Sequence, residues 1–310
     1  MKKRPTNIAE SVRQRLLNHS RKSSEDFNSL LTRFAIERLL YRIGVSSLSD
    51  QFYLKGAHLF AAWTGQLHRP TRDVDFLGFG SPLPEDVANR FRQILAETAN
   101  CEETRDGLTF DADTMEAAEI REEQDYGGVR VKLRAHLAGA RMLLTIDVGF
   151  GDAVTPAPIQ LEFPTLLDDP ALPSPTLSVY PVPSVIAEKT EALTSLGIGN
   201  SRLKDFYDLW MISRTFEPKA EECVLAIRQT FERRKTTIEM EPLALTEEFW
   251  TDADVLKRWT SFAKKNLEGK GKDFSKEAML TDLQQFLLPV LKWAAESVSI
   301  QGTWEKDKRS

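Results

Sequence analysis

Residues 53 to 80 join a glycine-containing turn to a strand that carries two aspartates. The stretch reads as the end of a strand, the small-residue turn 55–57, an apolar helix and a second strand that begins at Asp73. Successive side chains of a strand point to opposite faces, so Asp73 and Asp75 are expected to project from the same face. Like charges held in that way repel each other. The pattern therefore favours a bound cation, and Mg²⁺ prefers a few carboxylate oxygens together with water and phosphate.

An isolated pair of aspartates would more often lie on a solvated edge strand, and the turn before it is what favours a functional site. The turn consists of Lys55, Gly56 and Ala57. A glycine turn that leads into a helix presents backbone N–H groups to a phosphate. Together with metal-binding carboxylates, it supplies the parts of a two-metal nucleotidyl transfer site. The stretch resembles the signature of the nucleotidyltransferase superfamily. It departs from that signature at Ala57, where many members have serine, so we expect the backbone alone to hold the phosphate.

A third acid, Asp147, lies in the otherwise apolar strand 141–150. An unpaired carboxylate beside a buried strand is costly, whereas a carboxylate next to Asp73 and Asp75 would share their metals. We therefore predict that Asp147 is the third metal ligand. Asp152, just after this strand, is a weaker alternative.

The strand predicted at 129–137 alternates apolar and mostly basic residues, as a half-buried strand does. Its polar face carries Arg130, Lys132, Arg134 and His136. These side chains face solvent, or one or two of them face a triphosphate or an RNA backbone. The sequence leaves both interpretations open.

The composition is that of an ordinary soluble globular protein, with 41% hydrophobic and 28% charged residues among 310. No apolar run approaches the roughly 20 residues of a membrane span, so no membrane contact is expected. The two cysteines lie far apart and match no metal spacing, which indicates a reducing, cytoplasmic environment. A net charge of −5 argues against a general nucleic-acid coat protein.

The proline-rich segment 155–183 is the best candidate for a domain boundary, and we predict that it is a surface linker. Before it lies an α/β pattern with N-terminal helices, one of which is predicted from about Ser24 to Ile43 with Ser24 as its cap. After it the pattern is helical. We therefore predict an α/β nucleotidyltransferase domain with a mixed β-sheet over residues 1–180 and a C-terminal helical domain over residues 181–310.

Five motifs, in their order and spacing, resemble the AbiEii/AbiGii (MenT-type) nucleotidyltransferase toxins of abortive-infection and toxin–antitoxin systems. These motifs are LKGAHLFAAW, RDVDFLG, TIDVGFGD, AEKTEAL and SRLKDFYDLW. The resemblance implies that the helical domain contributes Lys189 and Asp205 to the catalytic site. It also implies functional roles for Gly56, Asp73 and Asp75. We predict that nucleotide phosphates contact Lys55, Gly56, Ala57, Lys189, Arg202 and Lys204.

The activity that the resemblance implies is Mg²⁺-dependent transfer of nucleotides from a nucleoside triphosphate to RNA. The first candidate for the acceptor is the tRNA 3′ end, where an addition would block translation, and a cognate antitoxin would be a partner. One alternative is transfer to a protein or a small molecule, and another is a non-catalytic nucleotide-binding relative. Lys189 could also be an ordinary exposed helix lysine, and Asp205 could belong to a surface ion-pair cluster of little energetic value.

Overall fold

The computed structural model describes residues 7–120, 127–199, 202–267 and 275–296. The chain divides into two compact units, the first of which contains Met1–Gly151 and Ile159–Val179. The second contains Asp152–Pro158 and Tyr180–Ser310. The chain passes from the first unit to the second between Val179 and Tyr180, and the short segment Asp152–Pro158 also groups with the second unit.

Among the described residues, the first unit is built on a seven-stranded mixed sheet, in agreement with the predicted α/β class. Its strands are β1 (Phe52–Lys55), β2 (Asp73–Gly78), β3 (Leu108–Ile120), β4 (Gly128–Leu137), β5 (Ala140–Phe150), β6 (Ile159–Glu162) and β7 (Thr176–Val179). The order across the sheet is β3-β4-β5-β2-β1-β7-β6. Strand β2 is parallel to β5 and β1 is parallel to β7, and the other neighbours are antiparallel.

The two faces of the sheet differ in polarity, as the alternating pattern of β4 predicted. Val131 and Leu133 of this strand are fully buried. Lys132 and Arg134, between and beside them, are exposed. The apolar face packs against helices, and the opposite face of β4 and β5 carries the polar side chains of the candidate site.

The proline-rich segment is not a surface linker, because it supplies two of the seven strands. Its prolines flank the apolar residues of β7 and do not interrupt them, so the backbone N–H groups of that strand stay available for pairing. Leu54 of β1 pairs with Val179, and Leu177 and Val179 are buried. The sheet therefore needs residues that lie well beyond β2, the strand of Asp73 and Asp75, in the chain.

The helices of the first unit are α1 (Ile8–Ser23), α2 (Phe27–Val45), α3 (His58–Thr64) and α4 (Pro84–Thr98). The helix predicted at 24–43 is confirmed as α2, but Ser24 does not cap it. Ser24 has a left-handed φ of 60° and ends α1, whereas the carboxylate of Asp26 accepts the N–H of Ser29 at 2.8 Å.

Helix α2 is buried along most of its length, including charged residues that the pattern alone would place at the surface. Arg42 donates to the Asp106 carboxylate at 2.7 and 3.2 Å, and Arg38 contacts the same carboxylate at 3.3 Å. Both arginines and Asp106 are buried. Paired buried charges cost much less than single ones, so this network ties α2 to the loop before β3.

The second unit is helical, as predicted. Its helices are α5 (Val182–Leu196), α6 (Leu203–Thr215), α7 (Ala220–Arg233), α8 (Glu247–Thr251), α9 (Ala253–Asn266) and α10 (Lys276–Ala295). An aromatic cluster that includes Phe206, Phe249 and Trp250 packs in its core. None of the helices in the described parts of the chain is both long and apolar enough to cross a membrane.

Candidate functional site

The glycine turn at residues 55–57 is in contact with β2, the strand that carries Asp73 and Asp75. Lys55, the last residue of β1, lies opposite Asp75 in the antiparallel pair β1–β2. Gly56 follows with a left-handed φ of +76°, which favours glycine. A Cβ atom at Gly56 would lie 2.0 Å from Oδ2 of Asp75. Only a residue without a side chain lets the backbone of the turn approach this carboxylate so closely.

The three acids predicted for the metal site lie on one face of the sheet. Val74 is fully buried, and the flanking Asp73 and Asp75 are exposed and partly exposed. Asp75 lies directly opposite Asp147 in the parallel pair β2–β5. Directly opposed residues share a face, so Asp147 lies beside the DxD pair.

Asp147 is held by an arginine on the next strand. Arg130 lies opposite it in β4–β5 and donates from Nε to Oδ1 at 2.8 Å and from Nη2 to Oδ2 at 2.7 Å. This bidentate pair raises the pKa of Arg130 still further above its usual range, chiefly through the hydrogen bonds to Asp147. The sequence singled out Arg130 only as one of several residues that face solvent or phosphate.

The residues present fit Mg²⁺ as a site of two carboxylates. In the described parts of the chain, no three His, Cys, Asp or Glu side chains are grouped so that they could hold a metal ion. Both oxygens of Asp147 are engaged by Arg130, so Asp73 and Asp75 are the carboxylates that could hold the ion. Mg²⁺ is commonly held by one or two carboxylates and completed by water and substrate phosphate.

A buried histidine that the sequence analysis did not single out opens the helix after the turn. His58 is only 2% exposed, and burial lowers its pKa to about 4, with smaller contributions from the positive charges of Arg33 and Arg69. It is therefore neutral at pH 7 and packs near Phe163, with ring centroids 6.2 Å apart. A lone histidine in a sequence gives no sign of such burial.

In the second unit, Lys189 on α5 forms ion pairs with two aspartates on α6. Its ammonium nitrogen lies 2.5 Å from Oδ1 of Asp205 and 2.9 Å from Oδ2 of Asp208. Arg202 adds a contact from Nε to Oδ2 of Asp205 at 2.9 Å. Both aspartates are fully buried and Lys189 is 9% exposed. The alternatives of an exposed lysine and a surface ion-pair cluster are therefore wrong.

The charges of this cluster are mutually compensated. Burial alone would raise the pKa of Asp205, but the positive charges of Lys189, Arg202 and Lys204 outweigh it and lower the pKa below its usual value. Asp205 is therefore ionised at neutral pH. Lys204 itself is exposed at the start of α6.

Helix α5 is also held by Arg234, which follows α7. Arg234 donates to Glu191 at 2.7 Å and to Asp152 at 2.9 Å. Asp152, the weaker alternative for the third acid, thus belongs to the helical unit and contacts an arginine there. Sequence reasoning missed Arg234 because its partners are distant in the chain.

Comparisons with known proteins agree with the motifs. A family model described as the nucleotidyl transferase AbiEii toxin of a type IV toxin–antitoxin system matches residues 38–288. The crystal structure of JHP933 from Helicobacter pylori is similar over 87% of this chain and 92% of that chain, with 10% identity and a TM-score of 0.46. A second H. pylori protein, provisionally described as a nucleotidyltransferase, is similar over 88% of this chain and 97% of that chain, with 10% identity and a TM-score of 0.43. No curated protein matches.

Proposed function

We propose that this chain, which belongs to the AbiEii family of nucleotidyl transferase toxins of type IV toxin–antitoxin systems, transfers nucleotides to tRNA. The nucleotides come from a nucleoside triphosphate, and the acceptor is the 3′ end of the tRNA. Such an addition would block aminoacylation and stop translation, and a cognate antitoxin would restrain the toxin. The observation that carries the proposal is the close approach of the Gly56 turn to Asp75, beside which Asp73 and Asp147 lie on the same face.

The turn after β1 would bind the phosphates through its backbone. The amides of Leu59 and Phe60 already donate to the carbonyl oxygens of Gly56 and Ala57, at 3.2 and 3.3 Å. We therefore expect the donors for a phosphate to be the amides of residues 56–58, with the Lys55 ammonium adding positive charge.

Asp73 and Asp75 would hold Mg²⁺, which supplies neutralisation of the charge that develops on the transferred phosphate. The terminal hydroxyl of the acceptor would attack the α-phosphorus, so that a new P–O bond forms as the bond to pyrophosphate breaks. Asp147 is the candidate to accept the proton of that hydroxyl. These three carboxylates would thus divide the work between charge neutralisation and proton transfer.

Lys189 would bind the triphosphate as a point charge. Its ammonium is fixed by two buried aspartates, so little side-chain entropy would be lost on binding. Asp205 would act by orienting Lys189, and Arg202 and Lys204 would contact nucleotide or RNA phosphates. The roles of Lys189 and Asp205 follow from the family resemblance, and the ion pairs of the cluster are compatible with them.

The test is transfer of label from each of the four α-³²P nucleoside triphosphates, with Mg²⁺, to total tRNA. We expect labelled tRNA from the wild type and none from Asp73→Asn or Asp75→Asn. Asp113→Asn is the matched control, because it removes an exposed carboxylate of β3 and should leave transfer intact. Periodate-treated tRNA, which lacks the terminal diol, should remain unlabelled.

Other distributions of the label would overturn the proposed acceptor. Label on the protein itself, or on a small molecule, would favour the alternative acceptors. Nucleotide binding without any transfer in the presence of tRNA and a cell extract would favour a non-catalytic relative.

A further inference from the structure

A row of four charged residues crosses the polar face of the sheet. Lys55, Asp75, Asp147 and Arg130 lie opposite one another in neighbouring strands, in the order β1, β2, β5 and β4. Directly opposed residues share a face. The two acids of the row are therefore flanked by one basic residue on each side.

Arg130 already supplies Asp147 with the positive charge that a metal ion would bring. Its guanidinium contacts both carboxylate oxygens at 2.7 and 2.8 Å. An arginine cannot lose its proton in a protein, so this charge is permanent. On its other side, in β3, Arg130 lies opposite the uncharged Ala118. Of the two residues directly opposite Arg130 in the neighbouring strands, only Asp147 is an acid.

The ion pair is also positioned so that it can open. The side chain of Arg130 is 44% exposed, whereas that of Asp147 is 19% exposed. Exposed ion pairs are worth little against water, and a guanidinium binds phosphate in the same bidentate manner as it binds carboxylate. A phosphate that arrives at this face can therefore take the guanidinium from Asp147 at small cost.

We propose that Arg130 acts as an internal counter-cation, which occupies Asp147 until a nucleotide arrives and then moves to the nucleotide's phosphates. While Arg130 occupies Asp147, the face binds a free divalent cation only weakly. The cation and the triphosphate therefore bind together. Arg130 is in this sense a residue that selects the metal–nucleotide complex over the bare metal. The inference rests on the proposed function of the same site.

Lys132 provides a matched control. It lies two residues along β4, so that its side chain projects from the same exposed face. Its opposed neighbours are Thr145 and Glu116, not Asp147. Arg130→Gln and Lys132→Gln therefore remove the same charge from the same face, but only the first releases Asp147.

The first measurement is the binding of Mn²⁺ in the absence of nucleotide. It is monitored through the EPR signal of the free ion. We expect Arg130→Gln to bind Mn²⁺ about tenfold more tightly than the wild type, because the guanidinium no longer competes with the ion for Asp147, and a tenfold change corresponds to only about 1.4 kcal/mol. Lys132→Gln should change the affinity by less than about threefold, because charges at a greater distance on an exposed face are screened. Arg130→Lys serves if Arg130→Gln does not fold, because an ammonium cannot hold both oxygens, and it should show a smaller increase in the same direction.

The second measurement is binding of nucleotide, with analogues of the four triphosphates that carry a methylene bridge between the α- and β-phosphates. In the presence of Ca²⁺, Arg130→Gln should bind its analogue about tenfold more weakly than the wild type, because a bidentate phosphate contact is lost. A purely structural role would not tighten metal binding while it weakens nucleotide binding.

The outcomes separate this inference from the proposed function. Suppose that Arg130→Gln and the wild type bind Mn²⁺ with equal affinity, while Asp75→Asn no longer binds it. That result would overturn the role of Arg130 and leave the metal site intact. Mn²⁺ binding to none of these proteins, with or without nucleotide, would overturn both. Weaker Mn²⁺ binding in Arg130→Gln would show that Arg130 supports the metal site, and it would also overturn the inference.

Discussion

Replacing Gly56 by alanine should separate the position of the Asp75 carboxylate from the stability of the fold. The new Cβ would lie 2.0 Å from Oδ2, 2.8 Å from Cγ and 3.0 Å from Cβ of Asp75. Rotation of the carboxylate can relieve the contact with Oδ2. It cannot relieve the contact with Cβ, because that atom is attached to the backbone of β2. The turn and the strand must therefore separate by a few tenths of an ångström, and Oδ2 of Asp75 must move by about 1 Å or more to reach an ordinary contact distance.

The two consequences have different magnitudes. A left-handed alanine costs about 1–2 kcal/mol of stability, which for a unit of this size lowers the melting temperature by about 2–4 °C per kcal/mol. Displacement of a reacting group by about 1 Å can cost about a hundredfold in rate. We expect Gly56→Ala to lose modest stability and about two orders of magnitude in transfer.

Gly65→Ala is the control for the backbone conformation. Gly65 ends α3 with a φ of +79°, and a Cβ there would meet nothing within 4 Å. Gly65→Ala should lose only the stability that the left-handed alanine costs, and it should keep its activity. The assay is transfer of label to tRNA, with thermal unfolding of each variant in parallel. The reasoning would be refuted if Gly56→Ala kept more than half of the wild-type rate, or if Gly65→Ala lost as much activity as Gly56→Ala.

Three further predictions concern charged and buried groups. Expression of the wild type should arrest bacterial growth, and expression of Asp75→Asn should not; arrest by a folded Asp75→Asn would exclude nucleotidyl transfer as its cause. Lys189→Met should reduce the free energy of unfolding by about 3–5 kcal/mol, because Asp205 and Asp208 would keep buried charges without their common partner; a loss below about 1 kcal/mol in chemical denaturation would contradict the importance of the ion pairs. The pKa of His58 is depressed from 6.5 to about 4 in the folded state, so the unfolded state takes up this proton first and stability should fall as the pH drops through that range. Over the same pH range, His58→Leu should lose about 3 kcal/mol less stability than the wild type loses; parallel pH profiles for the two proteins would show that His58 titrates normally.

Short-range patterns predicted the parts of the candidate site that depend on local geometry. The period of two in a strand placed Asp73 and Asp75 on one face, and the glycine turn was recognisable from residue type alone. The same reasoning correctly assigned the buried and exposed residues of β4. Each of these features depends on neighbours within a few positions in the chain.

The remaining features depend on contacts between distant residues. The pairing of Asp147 with Arg130 follows from the register of β4 against β5, and the sequence does not specify that register. The burial of Arg38 and Arg42 on α2 depends on Asp106, which lies far along the chain in the loop before β3. The prediction of a surface linker is wrong because three of the four residues of β7 are apolar or β-branched and favour a strand, despite the high proline content around them.

The path of the chain between the two units has a consequence for how the protein is made. Strand β1 is completed by β7, and between them the chain has already contributed residues 152–158 to the other unit. No single cut can therefore divide the protein into two self-sufficient fragments. On the ribosome, which releases the N-terminal part first, the strand that carries Asp73 and Asp75 emerges long before the sheet can close. The sheet that carries the candidate site therefore cannot close until β7 has been synthesised, well after Asp73 and Asp75 have left the ribosome.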